Sequence, residues 1–201
     1  MILSILSTML FSMASFGIQR QQIHIEDFVY ERDVEEVLKI IQNDWNALFT
    51  SIRPTYDQKY LLQNEVPGKE FAAEKYDGNF KMKVARKEEG VVGLVSFYEQ
   101  DSGKGRIRLI SVAQDCNEMG YDKTLTVAAI KGLFDAGCTS ILLYTREDNE
   151  KTSMYESLGF HEIGLSDDDI SWFEEIGIYH EEYSKYTRYE LKNGTCTNCN
   201  A

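Results

Sequence analysis

The chain has 201 residues, 43% of them apolar, which suffices for one domain with a sizeable core. Its 33 acidic and 21 basic residues give a formal net charge of −12. This charge argues against a nucleic-acid partner, because binding to a phosphate backbone needs a basic surface. A cationic partner such as an amine is more compatible, although an acidic surface that only confers solubility has the same composition.

The first segment, residues 1–17, is largely apolar. It is too short for a membrane span but has the length of the apolar part of a signal peptide, with small residues suited to cleavage before Ser15. No Lys or Arg precedes the apolar run, whereas signal peptides carry a basic start. We therefore expect a cytoplasmic protein without a stable membrane span, and export through a signal peptide is the alternative.

A short strand is predicted after Ile23, and residues 31–49 then carry apolar side chains at helical spacing. Asp33 and Glu36 have the separation of a capping box, so we expect Asp33 to start the helix and Glu36 to bond back to it. The segment 50–79 contains both prolines and has weak periodicity. It predicts a loop with a short helix, placed where a lid could face a substrate.

An antiparallel meander of three strands is predicted next, from Phe80, over 91–98 and over the sequence "RIRLISV". In the third strand the apolar alternation slips by one residue between Leu109 and Ile110. Such a slip moves side chains to the other face of a sheet, so a β-bulge at that point is one explanation. A strand end that is buried on both faces is the other.

The rest of the chain alternates between helices and strands. A helical pattern that ends at Gly137 is followed by the apolar strand "SILLYT", which predicts a parallel strand pair in a βαβ unit. The later elements are, in chain order, a helix over 150–158, a strand after Gly159, a short Asp-capped helix in 166–177 and a final strand over 183–192. Together these elements predict an α/β fold with a mixed, mostly antiparallel sheet and helices on both faces.

The turn after the third meander strand carries Val112, Asn117, Gly120 and Asp122 at the spacing V-x-x-x-x-[QR]-x-x-G-x-[GA]. With the order of elements, this turn resembles the GNAT superfamily of acetyl-CoA-dependent N-acetyltransferases. In that family the turn and the following helix N-terminus hold the pyrophosphate of acetyl-CoA, an anion site made of main-chain N–H groups. The resemblance implies acetyl-CoA as co-substrate, no metal, and these binding residues: Val112, Asn117, Glu118, Met119, Gly120, Tyr121, Asp122 and Lys123.

Two positions of this turn depart from the family pattern. Asn117 replaces Gln or Arg, a mild change, and Asp122 replaces Gly or Ala. A carboxylate near a pyrophosphate is unfavourable by about 1 kcal/mol when both charges are exposed, and Lys123 could offset part of this repulsion. The alternative interpretation of Asp122 is a plain helix N-cap.

A second segment, "DNEKTSMYESLGF", resembles the family pattern N-x-x-A-x-x-L-Y-E-K-L-G-F from Tyr155 to Phe160. Asp148 falls in the Asn position of the pattern, so a cofactor contact by Asn149 requires a shift of one residue. The resemblance implies that Tyr155 gives a proton to the departing thiolate, which suits a hydroxyl that is neutral at pH 7. The alternative is an aromatic side chain that only packs against the sheet.

The resemblance implies an N-acetyltransferase in which a neutral amine attacks the thioester directly while a main-chain N–H of the bulged strand holds the oxyanion. The acceptor would be a small-molecule amine, a protein lysine or a protein N-terminus. Many relatives place a Glu base on the bulged strand, which here has no carboxylate, so the candidates are Asp115, His180, Glu181 and Tyr183. The alternative is a GNAT-fold protein without catalysis that binds or regulates, either inside the cell or exported.

These assignments divide the chain into the N-terminal segment, a GNAT-like domain over 18–192 and a flexible tail over 193–201. The tail contains Cys196 and Cys199 as a single CxxC pair. One pair cannot complete a four-ligand zinc site, so we interpret all four cysteines of the chain as ordinary thiols. In an exported protein, the pair could instead form a disulfide.

Overall fold

The computed structural model describes residues 23–49, 57–72, 79–100, 102–147, 149–175 and 185–195. The strands in these residues are β1 (His24–Asp27), β2 (Lys81–Lys87), β3 (Gly90–Gln100), β4 (Lys104–Val112), β5 (Ser140–Arg146), β6 (His161–Glu162) and β7 (Tyr186–Lys192). The helices are α1 (Tyr30–Phe49), α2 (Gln58–Asn64), α3 (Tyr121–Asp135), α4 (Thr152–Ser157) and α5 (Asp167–Glu175), and a 3-10 helix (Gln114–Met119) precedes α3.

The strands form one sheet in the order β1-β2-β3-β4-β5-β7-β6. Every neighbouring pair is antiparallel except β4 and β5, which are parallel. The predicted α/β class with a mostly antiparallel sheet and a central βαβ unit is therefore confirmed.

The parallel pairing of β4 with β5 is short. It joins Lys104 to Ser140, Gly105 to Ile141 and Arg106 to Leu142, and stops there. Both strands continue, β4 as far as Val112 and β5 as far as Arg146, without pairing to each other. The carboxyl ends of the two strands consequently separate and leave an opening in the sheet.

The apolar core lies on both faces of the sheet. On one face, α1 and α2 cover β2 and β3 with buried side chains that include Val37, Ile41, Leu61, Val84 and Leu94. On the other face, α3 and α4 cover β3, β4, β5 and β7 with buried side chains that include Leu125, Ile130, Leu133, Ile141, Leu158 and Leu191. Burial on both faces explains why "SILLYT" is almost entirely apolar.

The start of α1 differs from the prediction. The helix begins at Tyr30, three residues before Asp33, so Asp33 is not its N-cap. Instead, the Val29 N–H donates to Asp33 Oδ2 at 2.8 Å, and Asp33 is the residue that bonds back. Glu36 Oε2 accepts from the Val91 N–H of β3 at 3.0 Å, which ties the helix to the sheet.

The start of α5 also differs, because Ser166 rather than an Asp is its cap. Ser166 Oγ accepts from the Asp169 N–H at 3.3 Å, and Asp169 Oδ2 accepts from the Ser166 N–H at 2.7 Å, a reciprocal capping box. Asp169 also accepts from the Tyr144 hydroxyl and pairs with Arg188 Nη1 at 2.6 Å. This one buried carboxylate therefore holds α5 against β5 and β7.

The irregularity predicted in β4 is present, one residue earlier than expected. Ser96 of β3 pairs with Leu109 and Phe97 pairs with Ile107, so Arg108 is the extra residue of β4. Ile107 consequently packs into the core on the α3 side, Leu109 packs on the α1 side, and Ile110 returns to the α3 side. The predicted slip is thus real, but the bulge lies at Arg108 rather than between Leu109 and Ile110.

Asp33 is a buried charged residue that joins α1 to β2, and Glu36 of α1 also lies 3.7 Å from Arg86 of β2. Its side chain has 0% exposure, and Arg32 Nε lies 2.6 Å from its Oδ1. Arg86 of β2 also bonds to this carboxylate. Burial opposes the charge, but the hydrogen bonds from Arg32 and Val29 and the attraction of both guanidinium groups hold the pKa of Asp33 below its usual 3.8.

We expect Asp33→Asn to lower the free energy of unfolding at pH 7 by about 3 kcal/mol, because it breaks a buried ion pair. The folded pKa lies below the unfolded one, so this stabilisation is complete above the unfolded pKa and is lost as pH falls through the folded pKa. Urea unfolding at pH 7, 5 and 3 should therefore show a difference between variant and wild type that shrinks at pH 3. Glu35→Gln, which removes an exposed carboxylate from the same helix, is the control. A pH-independent difference for Asp33→Asn contradicts the prediction.

Candidate functional site

The opening between β4 and β5 is flanked by the segments in which the sequence predicts binding residues. Val112 is the buried last residue of β4. The predicted turn after it is a 3-10 helix that carries Asn117, Glu118 and Met119, all of them exposed. Gly120 then ends the 3-10 helix and is the N-cap of α3.

Position 120 requires glycine because of its backbone conformation, and not because neighbouring atoms would exclude a side chain. Its φ of 73° and ψ of 21° are left-handed, a conformation that side chains disfavour, while no atom lies within 4 Å of the position that a Cβ would occupy. The sharp turn at Gly120 allows α3 to begin directly after the 3-10 helix. The Lys123 N–H in the first turn of α3 donates to Asp122 Oδ1 at 2.8 Å. The preceding N–H groups of α3 have no main-chain acceptor within the helix, which makes this end a place where an anion can bind.

Asp122 lies in the first turn of α3 and is not its N-cap, so that interpretation of Asp122 is wrong. Its Oδ2 lies 3.6 Å from Lys151 Nζ, and the side chains of Asp122 and Lys151 are 14% and 34% exposed. Lys123, which could have offset the charge, instead donates from Nζ to Ser157 Oγ at 3.2 Å. Lys151, which is the residue before α4, therefore balances the charge of Asp122.

Tyr155 combines a packed ring with an uncharged hydroxyl. The side chain is buried in α4, and its ring meets Phe160 edge-on at 6.2 Å and Tyr189 at 6.4 Å between centroids. Burial and, next, the carboxylate of Asp122 raise the pKa of Tyr155 well above its usual 10. The hydroxyl is therefore protonated at neutral pH, and it is close enough to Asp122 to be affected by its charge.

Asn149 supports the connection between β5 and α4. Its Nδ2 donates to Thr145 Oγ1 at 2.7 Å, and its Oδ1 accepts from the Lys151 N–H at 3.0 Å. The amide thus fixes the backbone that carries Lys151. Asp148, which the family pattern places in the Asn position, is outside the described residues.

The remaining predicted candidates contribute less. Asp115 is exposed at the start of the 3-10 helix, and His180, Glu181, Tyr183, Cys196 and Cys199 lie outside the described residues. Cys116 and Cys138 are buried free thiols whose pKa values are raised by burial. In the described part of the chain, no group of three or more His, Cys, Asp or Glu side chains could hold a metal ion. Across those same residues, no helix is both long enough and apolar enough to cross a membrane.

Two residues near the opening were not singled out by the sequence, Lys151 and Asp44. Asp44 follows the buried Val37 and Ile41 on the sheet-facing side of α1. Burial raises the pKa of Asp44, while the Ser111 hydroxyl and the charge of Lys151 oppose this rise. A carboxylate within an apolar helical stripe is the sequence signal that could have identified Asp44.

The described residues also form a separate cleft of about 590 Å³. Phe28, Tyr30 and Met82 are among its lining residues, which come mainly from α1, β1, β2 and the segment after α2. None of the predicted site residues lines it. The sequence motifs and the opening between β4 and β5 therefore identify a different location from this cleft.

The sequence matches the model of the acetyltransferase (GNAT) family over residues 37–160, more than half of the chain. A stretch of 57 residues is 42% identical to the mycothiol acetyltransferase of Arthrobacter sp. (strain FB24) and covers 28% of this chain and 18% of that protein. The mycothiol acetyltransferase of Paenarthrobacter aurescens (strain TC1) is 39% identical over the same length and coverage. The chain thus matches about a fifth of the length of these curated relatives.

Solved structures share the fold at low sequence identity. An acetyltransferase from Streptococcus agalactiae 2603 superposes with a TM-score of 0.61 at 16% identity, over 86% of this chain and 99% of that one. The PaiA N-acetyltransferase of Thermoplasma acidophilum, in complex with coenzyme A, gives 0.60 at 15% identity, over 85% of this chain and 99% of that one. At these identities the likeness concerns the fold alone.

We expect Asn149→Ala to lower the free energy of unfolding by about 1–2 kcal/mol, because it leaves the buried Thr145 hydroxyl without its donor. Urea unfolding measures this loss, and hydrogen exchange should show faster opening of the α4 amides. Asn43→Ala, at an exposed position of α1, is the matched control and should not destabilise the protein. Equal effects of the two substitutions contradict a supporting role for Asn149.

Proposed function

Because this chain belongs to the acetyltransferase (GNAT) family, we propose that it transfers the acetyl group of acetyl-CoA to a primary amine. The observation that carries this proposal is the opening between β4 and β5, with α3 beginning after one strand and Tyr155 following the other. The net charge of −12 favours a cationic acceptor, either a small-molecule amine or a protein lysine or N-terminus. Since the reaction draws on acetyl-CoA, we place it in the cytoplasm.

The segment from Val112 to Lys123 is proposed to hold the pyrophosphate of acetyl-CoA. Its donors are the N–H groups of the 3-10 helix and of the first turn of α3, where the helix dipole favours an anion. Asp122 does not prevent this binding, because Lys151 Nζ at 3.6 Å balances its charge. Asn149 is proposed to act through the backbone that positions Lys151. The domain that contains this site is proposed to span residues 18–192.

The edge of β4 beyond Arg106 supplies the donor for the developing oxyanion. On the side of β5 this edge has no paired strand among the described residues, and the bulge at Arg108 changes the direction of its N–H groups. A main-chain N–H here would stabilise the oxyanion that forms when the amine attacks the thioester carbonyl carbon.

Tyr155 is proposed to protonate the leaving thiolate. As the carbon–sulfur bond breaks, the sulfur takes the hydroxyl proton of Tyr155, and the extra proton on the attacking nitrogen leaves to water and restores the tyrosine. The raised pKa keeps this hydroxyl protonated before the step. A general acid in this role supplies a rate factor on the order of 10²–10⁴.

A GNAT-fold protein that binds without catalysis is the second candidate. The observation that favours it is the absence of a carboxylate from the sequence of β4. Such a protein would bind acetyl-CoA and acetylate no amine.

We expect calorimetry to detect binding of acetyl-CoA, and Tyr155→Phe to lower kcat by about 10²-fold or more with an unchanged Kd. Turnover is measured as thiol release with a panel of primary amines. Tyr189→Phe removes a hydroxyl from the ring beside Tyr155 and should leave kcat unchanged. Absence of binding at millimolar acetyl-CoA overturns the proposal, and binding without turnover of any amine favours the second candidate.

We expect Asp122→Ala to tighten CoA binding about fivefold, because it frees Lys151 to pair with a phosphate and removes a charge interaction of about 1 kcal/mol. Lys151→Gln should weaken binding by a similar factor, since it leaves the carboxylate of Asp122 unbalanced. Calorimetry with CoA measures both. Equal affinity in the wild type and both variants would mean that the turn does not bind the pyrophosphate.

A further inference from the structure

Asp44 is a charged residue in a position that the helical pattern reserves for apolar side chains. Val37 and Ile41 have 0% exposure, and Asp44 continues the same side of α1 at the next helical step. The helix packs on β3 and β4, so the carboxylate lies towards the sheet. Charged groups are rarely placed there unless they have a partner or a function.

Ser111 of β4 is the neighbour of Asp44 in the sheet. Burial raises the pKa of Asp44, and the Ser111 hydroxyl opposes this rise without a hydrogen bond of normal length between the two side chains. The hydroxyl oxygen is fully buried, yet it has no partner at normal hydrogen-bond distance among the described residues. A buried polar atom usually has such a partner, so the Asp44–Ser111 pair has unused capacity for one more polar group.

The interactions of Lys151 indicate that Asp44 lies beside the same opening as the proposed site. Lys151 precedes α4, and its charge attracts the carboxylate of Asp44. Its Nζ lies 3.6 Å from Asp122 Oδ2 on α3. Asp44 lies on the α1 face of the sheet, whereas Asp122 and Tyr155 belong to the helices of the other face. Lys151 therefore interacts with carboxylates that belong to helices on both faces of the sheet.

We propose that Asp44 is the general base that takes the proton from the ammonium group of the acceptor. This inference rests on the proposed acetyl transfer. One N–H bond of the ammonium breaks, the proton joins a carboxylate oxygen of Asp44, and the nitrogen lone pair forms the bond to the thioester carbon. The carbon–sulfur electrons leave with the sulfur, which takes the hydroxyl proton of Tyr155. The second proton of the attacking nitrogen passes through water to the Tyr155 phenolate as the amide forms, and Asp44 returns its proton to water.

The environment of Asp44 suits this role. Burial raises the pKa of the carboxyl, and Ser111 and Lys151 limit the rise. A carboxylate with a raised pKa accepts a proton more readily than an exposed one. A base on one face and an acid on the other also keep the two proton transfers apart. Asp44 thus supplies from α1 the carboxylate that β4 lacks.

The test compares benzylamine, an ammonium ion at pH 7, with aniline, whose nitrogen is already uncharged. With acetyl-CoA as donor, Asp44→Asn should lower kcat/KM for benzylamine at pH 7 by about 10²-fold or more and change that for aniline little. The variant's activity on benzylamine should also rise about tenfold per pH unit, as the free amine becomes available. A residue with only a structural role would affect both amines equally.

Two matched variants complete the comparison. Asp44→Glu should recover part of the benzylamine activity, and Glu35→Gln, which removes an exposed carboxylate from the same helix, should keep all of it. Affinity for acetyl-CoA should be the same in every variant. Equal losses with both amines, or wild-type activity of Asp44→Asn on benzylamine, overturn the assignment.

A titration of the carboxyl ¹³C signals in the full chain tests Asp44 without turnover. The signal that is missing in Asp44→Asn belongs to Asp44, and its midpoint is expected above the usual 3.8. A midpoint at or below that value overturns the assignment of Asp44 whatever the kinetics. If acetyl-CoA binds but no amine of the panel is acetylated and the midpoint is raised, the proposed function fails while the environment inferred for Asp44 holds.

Discussion

The early end of the pairing between β4 and β5 is the constraint on which the rest of this structure depends. Each strand keeps its outer partner along its length, β4 with β3 and β5 with β7, while the two pair with each other at only three positions. The bulge at Arg108 falls just after the last of these pairs, where it redirects β4. The backbone donors of β4, the start of α3 and the start of α4 consequently meet around one opening.

The charges around this opening form a balanced group rather than a collection of separate pairs. Lys151 pairs with Asp122, and its charge also limits the rise that burial causes in the pKa of Asp44, which belongs to a helix on the opposite face of the sheet. An acidic protein with a net charge of −12 could otherwise repel an anionic ligand. In the proposed site, one lysine in this position would allow a phosphate to bind on one side and an ammonium on the other.

The sequence predicted the fold well because its elements are defined by local patterns. Apolar periodicity located the strands and helices, and Gly120 and Gly137 adopt the left-handed backbone on which their predicted turns depend. Some errors are local, since α1 begins at Tyr30 and Ser166 caps α5, and others concern interactions between distant residues. Asp33 looks like an N-cap locally, but its partner Arg86 is 53 residues away. Lys151 was overlooked for the same reason, because the carboxylate that it pairs with belongs to another helix.

The opening also divides the sheet mechanically. Strands β1 to β4 form one part of the sheet, and strands β5 to β7 form the other. Three residue pairs between β4 and β5 join the two parts. Beyond Arg106 of β4 and Leu142 of β5, the described residues contain no strand pairing that resists a change in the angle between the two parts. A molecule that contacted both parts of the sheet in the opening would add a connection where strand pairing is absent, and its binding would then restrict the angle between them.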